Sequence, residues 1–463
     1  MMRAFSLAEA AGWMNASVGD ERWASLRFTG VSTDTRTLGE GQLFVALRGE
    51  NFDGHRFLKM AQEKGALAAV VDTPEPGLDF PQLVVADTVE ALAQLAAGNR
   101  RESHARLVAV TGSSGKTTVR EMTAAILMQM GETLATSGNL NNHIGVPLTL
   151  FRLSPKHRFG AIELGASGLG EIAHTVEITR PEVAILTNAG TAHLEGFGSY
   201  ENIVRAKGEI IEGVSEQGLV VLNRDDPAFD QWKARAGSRP VASVSRQGSS
   251  GATYTAEVQS TNGAGLEFTV TGPAGWTCRI ALALEGDHNI TNALLAVAAT
   301  RQLGATDQNI VDGLASVIPV RGRLQSVQVT PDITVIDDSY NANPASMMAA
   351  VRVLSGKPGE RIAVFGAMAE LGATAMELHE KVGRCARDEK IDRLITVGPG
   401  CDGYARGFGP ETEMFQAHED AVEAIISSNK LPMTVLVKGS RSSAMEHVVE
   451  GIQEKVNNSC CSG

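Results

Sequence analysis

The run Leu107-Val108-Ala109-Val110-Thr111-Gly112-Ser113-Ser114-Gly115-Lys116-Thr117-Thr118 constrains this chain more than any other stretch. An apolar strand pattern ends in a glycine turn, and a helical apolar pattern at Val119, Met122, Ile126 and Met130 follows it. Strand, turn and helix N-terminus in that order form the context a phosphate-binding loop needs. Backbone N–H groups and the helix dipole face an anion, Lys116 neutralises charge, and the Thr117 hydroxyl can hold a divalent cation. All eight residues Thr111, Gly112, Ser113, Ser114, Gly115, Lys116, Thr117 and Thr118 are therefore expected to bind nucleotide. The common form of this loop has a glycine five residues before Gly115, where Val110 stands, so this is a shorter variant. The alternative, a glycine-rich turn with a solvent lysine, leaves the flanking strand and helix without a purpose.

Such a loop sits in an open α/β sheet, and the rest of the chain reads that way. With 463 residues it is too long for one ordinary core and is expected to form three domains. The first, 1–103, is a small α/β unit with strands at Gly41 to Leu47 and Ala68 to Asp72. Met1 to Asp20 reads as a helix packed on it. Between the two strands, Asp53-Gly54-His55 opens a helical pattern that Gly65 can cap. The second, 104–319, is a mostly parallel sheet with strands at Leu107 to Val110, Ala161 to Leu164, Val183 to Leu186 and Leu219 to Leu222. From Val241 to Leu284 an antiparallel patch is expected, with turns at Asn262-Gly263 and Gly272-Pro273, and a helix from Asn289 to Leu303 closes the segment. The third, 320–463, alternates strands at Thr334 to Ile336, Ile362 to Phe365, Leu394 to Val397 and Val435 to Val437 with helical patterns, as in a doubly wound Rossmann-like sheet.

Composition narrows the partners. Hydrophobic residues make up 43% and charged residues 20%, which suits a soluble globular protein. The net charge of −12 argues against a nucleic-acid partner, because the phosphate backbone would be repelled over most of the surface. It leaves anionic small molecules open, since a basic pocket overrules the global sign locally. Five cysteines without metal-ligand spacing fit a reducing compartment. No stretch approaches the roughly 20 apolar residues of a membrane span, so a cytoplasmic protein without membrane insertion is expected.

Glu163 ends one strand pattern and His193 follows another, so both should reach the sheet edge that carries the loop. With Thr117 they could share divalent cations that bridge phosphates and substrate. A single Glu or His in such a loop is more often structural, and spacing alone leaves both readings open. Lys207, in Arg205-Ala206-Lys207-Gly208-Glu209, reads from the residues alone as a solvated helix lysine.

The loop Thr111 to Thr118, Glu163-Leu164-Gly165-Ala166, Asn188 to His193 and Ala206-Lys207-Gly208-Glu209 resemble the Mur ligases, which build the peptide stem of the bacterial cell-wall precursor. Gly138-Asn139-Leu140-Asn141-Asn142-His143-Ile144-Gly145, Asp337-Asp338-Ser339-Tyr340-Asn341-Ala342-Asn343-Pro344 and Lys438-Gly439-Ser440-Arg441 narrow the likeness to the branch that adds a dipeptide. The likeness runs from Ser32-Thr33-Asp34-Thr35-Arg36 to the last helical pattern. It implies an ATP-dependent ligase, acting as a monomer, that activates the carboxylate of UDP-N-acetylmuramoyl-tripeptide as an acyl phosphate and passes it to D-alanyl-D-alanine. It implies Lys116 on the phosphates and Mg2+ on Thr117, Glu163, His193 and a carbamylated Lys207, with Lys116, Lys207, His193 and Arg323 in catalysis. Asn289 and Asn292 match the element that contacts adenine, although Asn289 reads equally as a helix N-cap. Arg323 would reach ATP from the hinge, and Asp338, with Asp337 beside it, would hold the ribose.

For the substrates the likeness implies Asn139, Asn141 and Asn142 on the peptide, Tyr340, Asn341 and Asn343 in the same region, and Lys438, Ser440 and Arg441 on an anion. A polar turn before Pro344 remains the alternative for the Tyr340 loop. Ser32, Asp34 and Arg36, with Thr33 and Asp53-Gly54-His55, would grip the uridine end, and the alternative is that they are turn residues. Family members usually carry aspartate where this chain has Ala367. The neighbouring readings are another Mur ligase or a folylpolyglutamate synthase-like ligase, and, from another class, a nucleotide-binding regulatory module without turnover.

Overall fold

The computed structural model describes residues 2–18, 20–49, 52–190, 194–260, 265–428 and 430–460. Three larger sheets organise them. Val31–Ser32, Leu43–Val45, Ala68–Val71 and Gln82–Val84 form a parallel four-stranded sheet. Nine strands form the second, in the spatial order Thr133–Ala135, Phe159–Glu163, Arg106–Thr111, Val183–Leu186, Leu219–Asn223, Val241–Ser245, Tyr254–Ser260, Leu266–Thr271 and Thr277–Leu282. The third runs Gln325–Thr330, Ile333–Asp338, Met433–Lys438, Glu360–Gly366, Arg393–Val397 and Glu413–Phe415. It is parallel except for its first pair. The architecture is α/β with mostly parallel sheets, as expected.

In the second sheet the strands around Arg106–Thr111 are buried on both faces, which is why they read as unbroken apolar runs. One face is covered by the helices Lys116–Met128, His288–Gln302 and Asp307–Ala315. The other is covered by Gly145–Leu150, Glu171–Thr179 and Tyr200–Gly208. Thr88–Arg101, from the first segment, packs on that second layer. Asn99 donates to Leu150 O at 2.9 Å and Arg100 Nε to Thr179 O at 2.8 Å, and the two segments share one apolar cluster.

The register positions the site. Glu163 pairs with Val110 on one side of the loop strand, and Leu186 with Thr111 on the other. The chain leaves Arg106–Thr111 toward one side of the sheet and later returns to its other side, so the loop lies at the switch point where such sheets bind ligands.

Three expectations need correction. The N-terminal helix covers only Leu7–Met14, because a Ser6–Glu9 capping box starts it and Asn15, at φ 52°, ends it. Phe5–Ser6 before it is a strand paired with Arg27–Phe28. Val241–Ser245 is the last buried parallel strand and not part of the antiparallel patch. The helix Phe229–Ala236 returns the chain in the same direction, and the antiparallel pairs begin with Tyr254–Ser260. The strand at Gly41 to Leu47 shrinks to Leu43–Val45, with Gly41 at φ 74° in a turn. The turn at Asn262-Gly263 lies outside the described residues.

Candidate active site

Gly115, at φ +80°, turns the chain into the helix Lys116–Met128, which begins without a side-chain cap. Its first N–H groups and the positive end of its dipole are left for an anion. Asn188 and Thr187, just past the neighbouring strand, clamp the turn. Ser114 N donates to Asn188 Oδ1 at 3.0 Å, Ser113 N to Asn188 O at 3.0 Å, and Thr187 Oγ1 to Ser114 O at 2.6 Å. A Cβ on Gly112 would stand 1.9 Å from Thr187 Oγ1, so only glycine fits this approach. Lys116 Nζ folds back onto Gly112 O at 2.9 Å. Burial lowers its pKa and Arg323 adds to that, while Glu163 opposes both. Asn188→Ala strips two bonds from Ser114 and is expected to weaken nucleotide binding about tenfold through a looser turn, measurable by titration with ADP.

Beside the helix N-terminus stands Glu163, only 3% exposed. Its Oε2 accepts from Thr117 Oγ1 at 2.9 Å and its Oε1 from Asn141 Nδ2 at 2.8 Å. Arg120, 4% exposed, points Nε at Oε2 from 3.7 Å, and that nitrogen has no hydrogen-bond partner. Thr136 joins the group: its Oγ1 accepts from Glu163 N at 3.0 Å and its carbonyl from Arg120 Nη1. Lys207 is 1% exposed, which corrects the reading of a solvated lysine. It sits 4.9 Å from the Phe197 ring centroid and donates to Ala166 O at 3.1 Å. Burial, with help from Lys116, pulls its pKa down to about 7 against Glu171 and Glu209. His193 lies outside the described residues.

Thr117, Asn141 and Glu163 open onto a cleft of about 580 Å³ between the second and third sheets. Ser113 to Thr118, Asn139, Asn141, Asn142, Asn289 and Asn292 line it from one side, and Arg323, Asp338, Tyr340, Asn341, Asn343 and Lys438 from the other. Asn343 caps the helix Pro344–Ser355 and also donates to Ser114 Oγ at 2.9 Å, so the third sheet touches the loop directly. Arg323 stacks its guanidinium over Tyr340, 4.5 Å from the ring centroid. Lys438 is buried against Asp338 at 2.7 Å and donates to Asn341 O at 2.8 Å. Burial pushes the Asp338 carboxyl up, and Lys438 and the Leu324 N–H pull the other way. Asp338→Ala leaves the Lys438 ammonium buried without its counter-charge. A stability loss of about 3 kcal/mol in urea unfolding is expected.

Three family models match: "Mur ligase family, catalytic domain" over 27–100, "Mur ligase middle domain" over 110–300 and "Mur ligase, glutamate ligase domain" over 322–441. The UDP-N-acetylmuramoyl-tripeptide–D-alanyl-D-alanine ligase of Escherichia coli K12 is 46% identical over 96% of this chain and 97% of its own length. The chain belongs to the Mur ligase family. The ligase of the same name from Haemophilus influenzae is 40% identical over 95% of this chain and 96% of its own length. A crystal structure of MurF from Acinetobacter baumannii superposes with a TM-score of 0.92 at 34% identity, covering 98% of this chain and 99% of that one. MurF from Thermotoga maritima in complex with ADP gives 0.84 at 28% identity, covering 93% and 98%.

Not every residue expected from the Mur ligase likeness reaches the cleft of this family member. Thr111 spends its hydroxyl on Leu164 O at 2.7 Å, and neither it nor Gly112 lines the cavity. Ser440 bonds to Ser442 and Ser443 at 3.0 and 3.1 Å, and Arg441 is paired with Glu446 at 2.7 Å and exposed; neither lines it. Lys438, paired with Asp338, is the one residue of Lys438-Gly439-Ser440-Arg441 that lines the cleft. Asn142 lines the cleft, and its side chain also accepts from Ile144 N at 3.2 Å and Gly145 N at 2.8 Å. Ser32, Asp34 and Arg36 sit away from this cleft in a turn closed by an Asp34–Arg36 pair at 2.7 Å. Sequence reasoning missed Arg120, Thr136 and the clamping role of Asn188. Arg120 follows Lys116 by one helical turn, which was the available signal.

Proposed function

We propose that this chain is an ATP-dependent amide-bond-forming ligase that joins D-alanyl-D-alanine to UDP-N-acetylmuramoyl-tripeptide, giving the pentapeptide precursor of peptidoglycan, ADP and phosphate. The observation that carries this reading is 46% identity over 96% of the chain to a ligase named for that reaction. The reaction is assigned to the cytoplasm, with 1–103 on the uridine substrate, 104–319 on ATP and 320–463 completing the site.

The residues suit the groups this reaction requires. An uncapped helix start beside Lys116 suits a triphosphate, and Arg323 and Asn343 close over it from the third sheet. Thr117 and Glu163 are hard oxygen donors suited to Mg2+. Among the described residues no group of three or more His, Cys, Asp or Glu side chains lies together, so a cation here needs further ligands. Phosphate oxygens are one source. Lys207 is the other, because burial lowers its pKa to about 7, which leaves a substantial neutral fraction at physiological pH that can take up carbon dioxide as a carbamate. When bound, ATP supplies the phosphoryl group and Mg2+ screens its charge.

The chain's own part is to bind and orient. Lys116 exchanges the Gly112 carbonyl for phosphate oxygens and holds them in line with the incoming carboxylate. Asn139 and Asn141 offer neutral amides to the peptide. The walls of the cleft keep water from the acyl phosphate until the dipeptide amine attacks.

Phosphate release should require the tripeptide nucleotide, ATP, Mg2+ and D-alanyl-D-alanine together. Release with D-glutamate or a folate in place of the dipeptide would move the chain to a sister activity. Binding of ATP with no acceptor-dependent release would favour the regulatory module.

A further inference from the structure

Lys207 is buried beside the cleft it is meant to serve and does not line it. It lies on the helix Tyr200–Gly208, and its Nζ donates to the Ala166 carbonyl and lies over the Phe197 ring. Phe197 ends the short helix Leu194–Phe197, which is held at three places. Its last carbonyl accepts from Asn202 Nδ2 at 2.7 Å, which ties it to the lysine helix. A Cβ at Gly196 would meet Ser167 O at 2.5 Å, so the helix lies directly on the strand-end loop that carries Ala166. From the third sheet, Glu370 O accepts from Glu195 N at 3.1 Å, with Glu370 at φ +59°.

We propose that Phe197 is the positioning residue of Lys207, and that contact between the third sheet's Glu370 and the Glu195 amide holds Phe197 in place. The proposal rests on the carbamate reading of Lys207 given above. In carbamate formation the Nζ lone pair attacks the carbon of carbon dioxide and an N–C bond forms. One C=O bond opens to the carboxylate, and an amine proton passes to solvent. With Phe197 seated, carbon dioxide and water reach that nitrogen slowly in both directions. With the Glu195–Glu370 contact released, the short helix can lift and exchange speeds up. The carbamate is therefore loaded while the third sheet is undocked and retained once it docks.

The test measures exchange of 13C-bicarbonate into the carbamate of the full chain by 13C NMR, with melting temperature recorded alongside. Glu195→Pro removes the donating N–H at a first-turn position that tolerates proline, and exchange about fivefold faster is expected. Phe197→Ala removes the cover and is expected to speed exchange about tenfold. Glu195→Ala keeps the amide and should exchange at the wild-type rate. A merely structural role would lower the melting temperature and leave exchange unchanged, which would overturn the proposal, as would wild-type exchange in a folded Glu195→Pro. If Phe197→Ala does not fold, Glu195→Pro alone decides. Absence of any labelled carbamate in the wild-type chain would overturn the Lys207 reading itself, and this inference with it.

Discussion

Lys116→Ala is expected to lower kcat for ligation about 10³-fold while the chain stays folded. Lys116 begins a helix whose body is fixed by Val119, Met122, Ile126 and Leu127 in the apolar layer, and alanine is a good helix former at that position. Among the described residues its ammonium bonds to carbonyls of its own loop, Gly112 at 2.9 Å and Ser113 at 3.5 Å. What the substitution removes is a cation of the proposed phosphate site, in a cleft where burial already lowers the lysine's pKa. Such charge–phosphate interactions strengthen as charge builds in the transition state, so the loss should appear in kcat more than in stability. Steady-state phosphate release together with a thermal melt checks this. Full activity in the variant would take the loop out of the mechanism.

Lys207→Ala is expected to lose at least about 100-fold in activity and to regain part of it with added formate or acetate. The side chain is buried to 1% exposure, so truncation leaves an enclosed space next to Ala166 and Phe197. A short carboxylate can occupy that space and restore the oxygen ligand that the carbamate is proposed to supply. The space costs about 2 kcal/mol of stability, offset in part because the variant removes an amine whose charged form is disfavoured by burial, so the chain should still fold. Activity measured across an acetate titration separates the cases. Unchanged activity without acetate would remove Lys207 from the reaction.

The sequence carried the loop and its strand because both are local. Apolar run, glycine turn and helix are adjacent in the chain, and Gly115, at φ +80°, is the turn residue itself. Glu163 was recognisable as a strand end, but its position beside Thr117 depends on Phe159–Glu163 pairing with Arg106–Thr111, a non-local choice of neighbour. Lys207 shows the limit most clearly. Nothing in Ala206-Lys207-Gly208 announces burial; that follows from Phe197 and the Ala166 loop folding over it. At Lys438, Ser440 and Arg441 the sequence shows basic and hydroxyl residues between a strand and a helix but not their partners, which are Asp338, two serines and Glu446. Val241–Ser245 was misassigned because a short buried strand carries no mark of direction. Only the crossover helix Phe229–Ala236 decides it.

The cleft beside Lys116 and Glu163 is proposed to make a carboxylate reactive by phosphorylating it. The direct test uses tripeptide nucleotide labelled with 18O in its terminal carboxylate, with ATP, Mg2+ and D-alanyl-D-alanine, followed by mass analysis of the released phosphate. Attack of the carboxylate on the γ-phosphate predicts one 18O transferred to phosphate for each amide bond made. Amide formation with unlabelled phosphate would contradict the account.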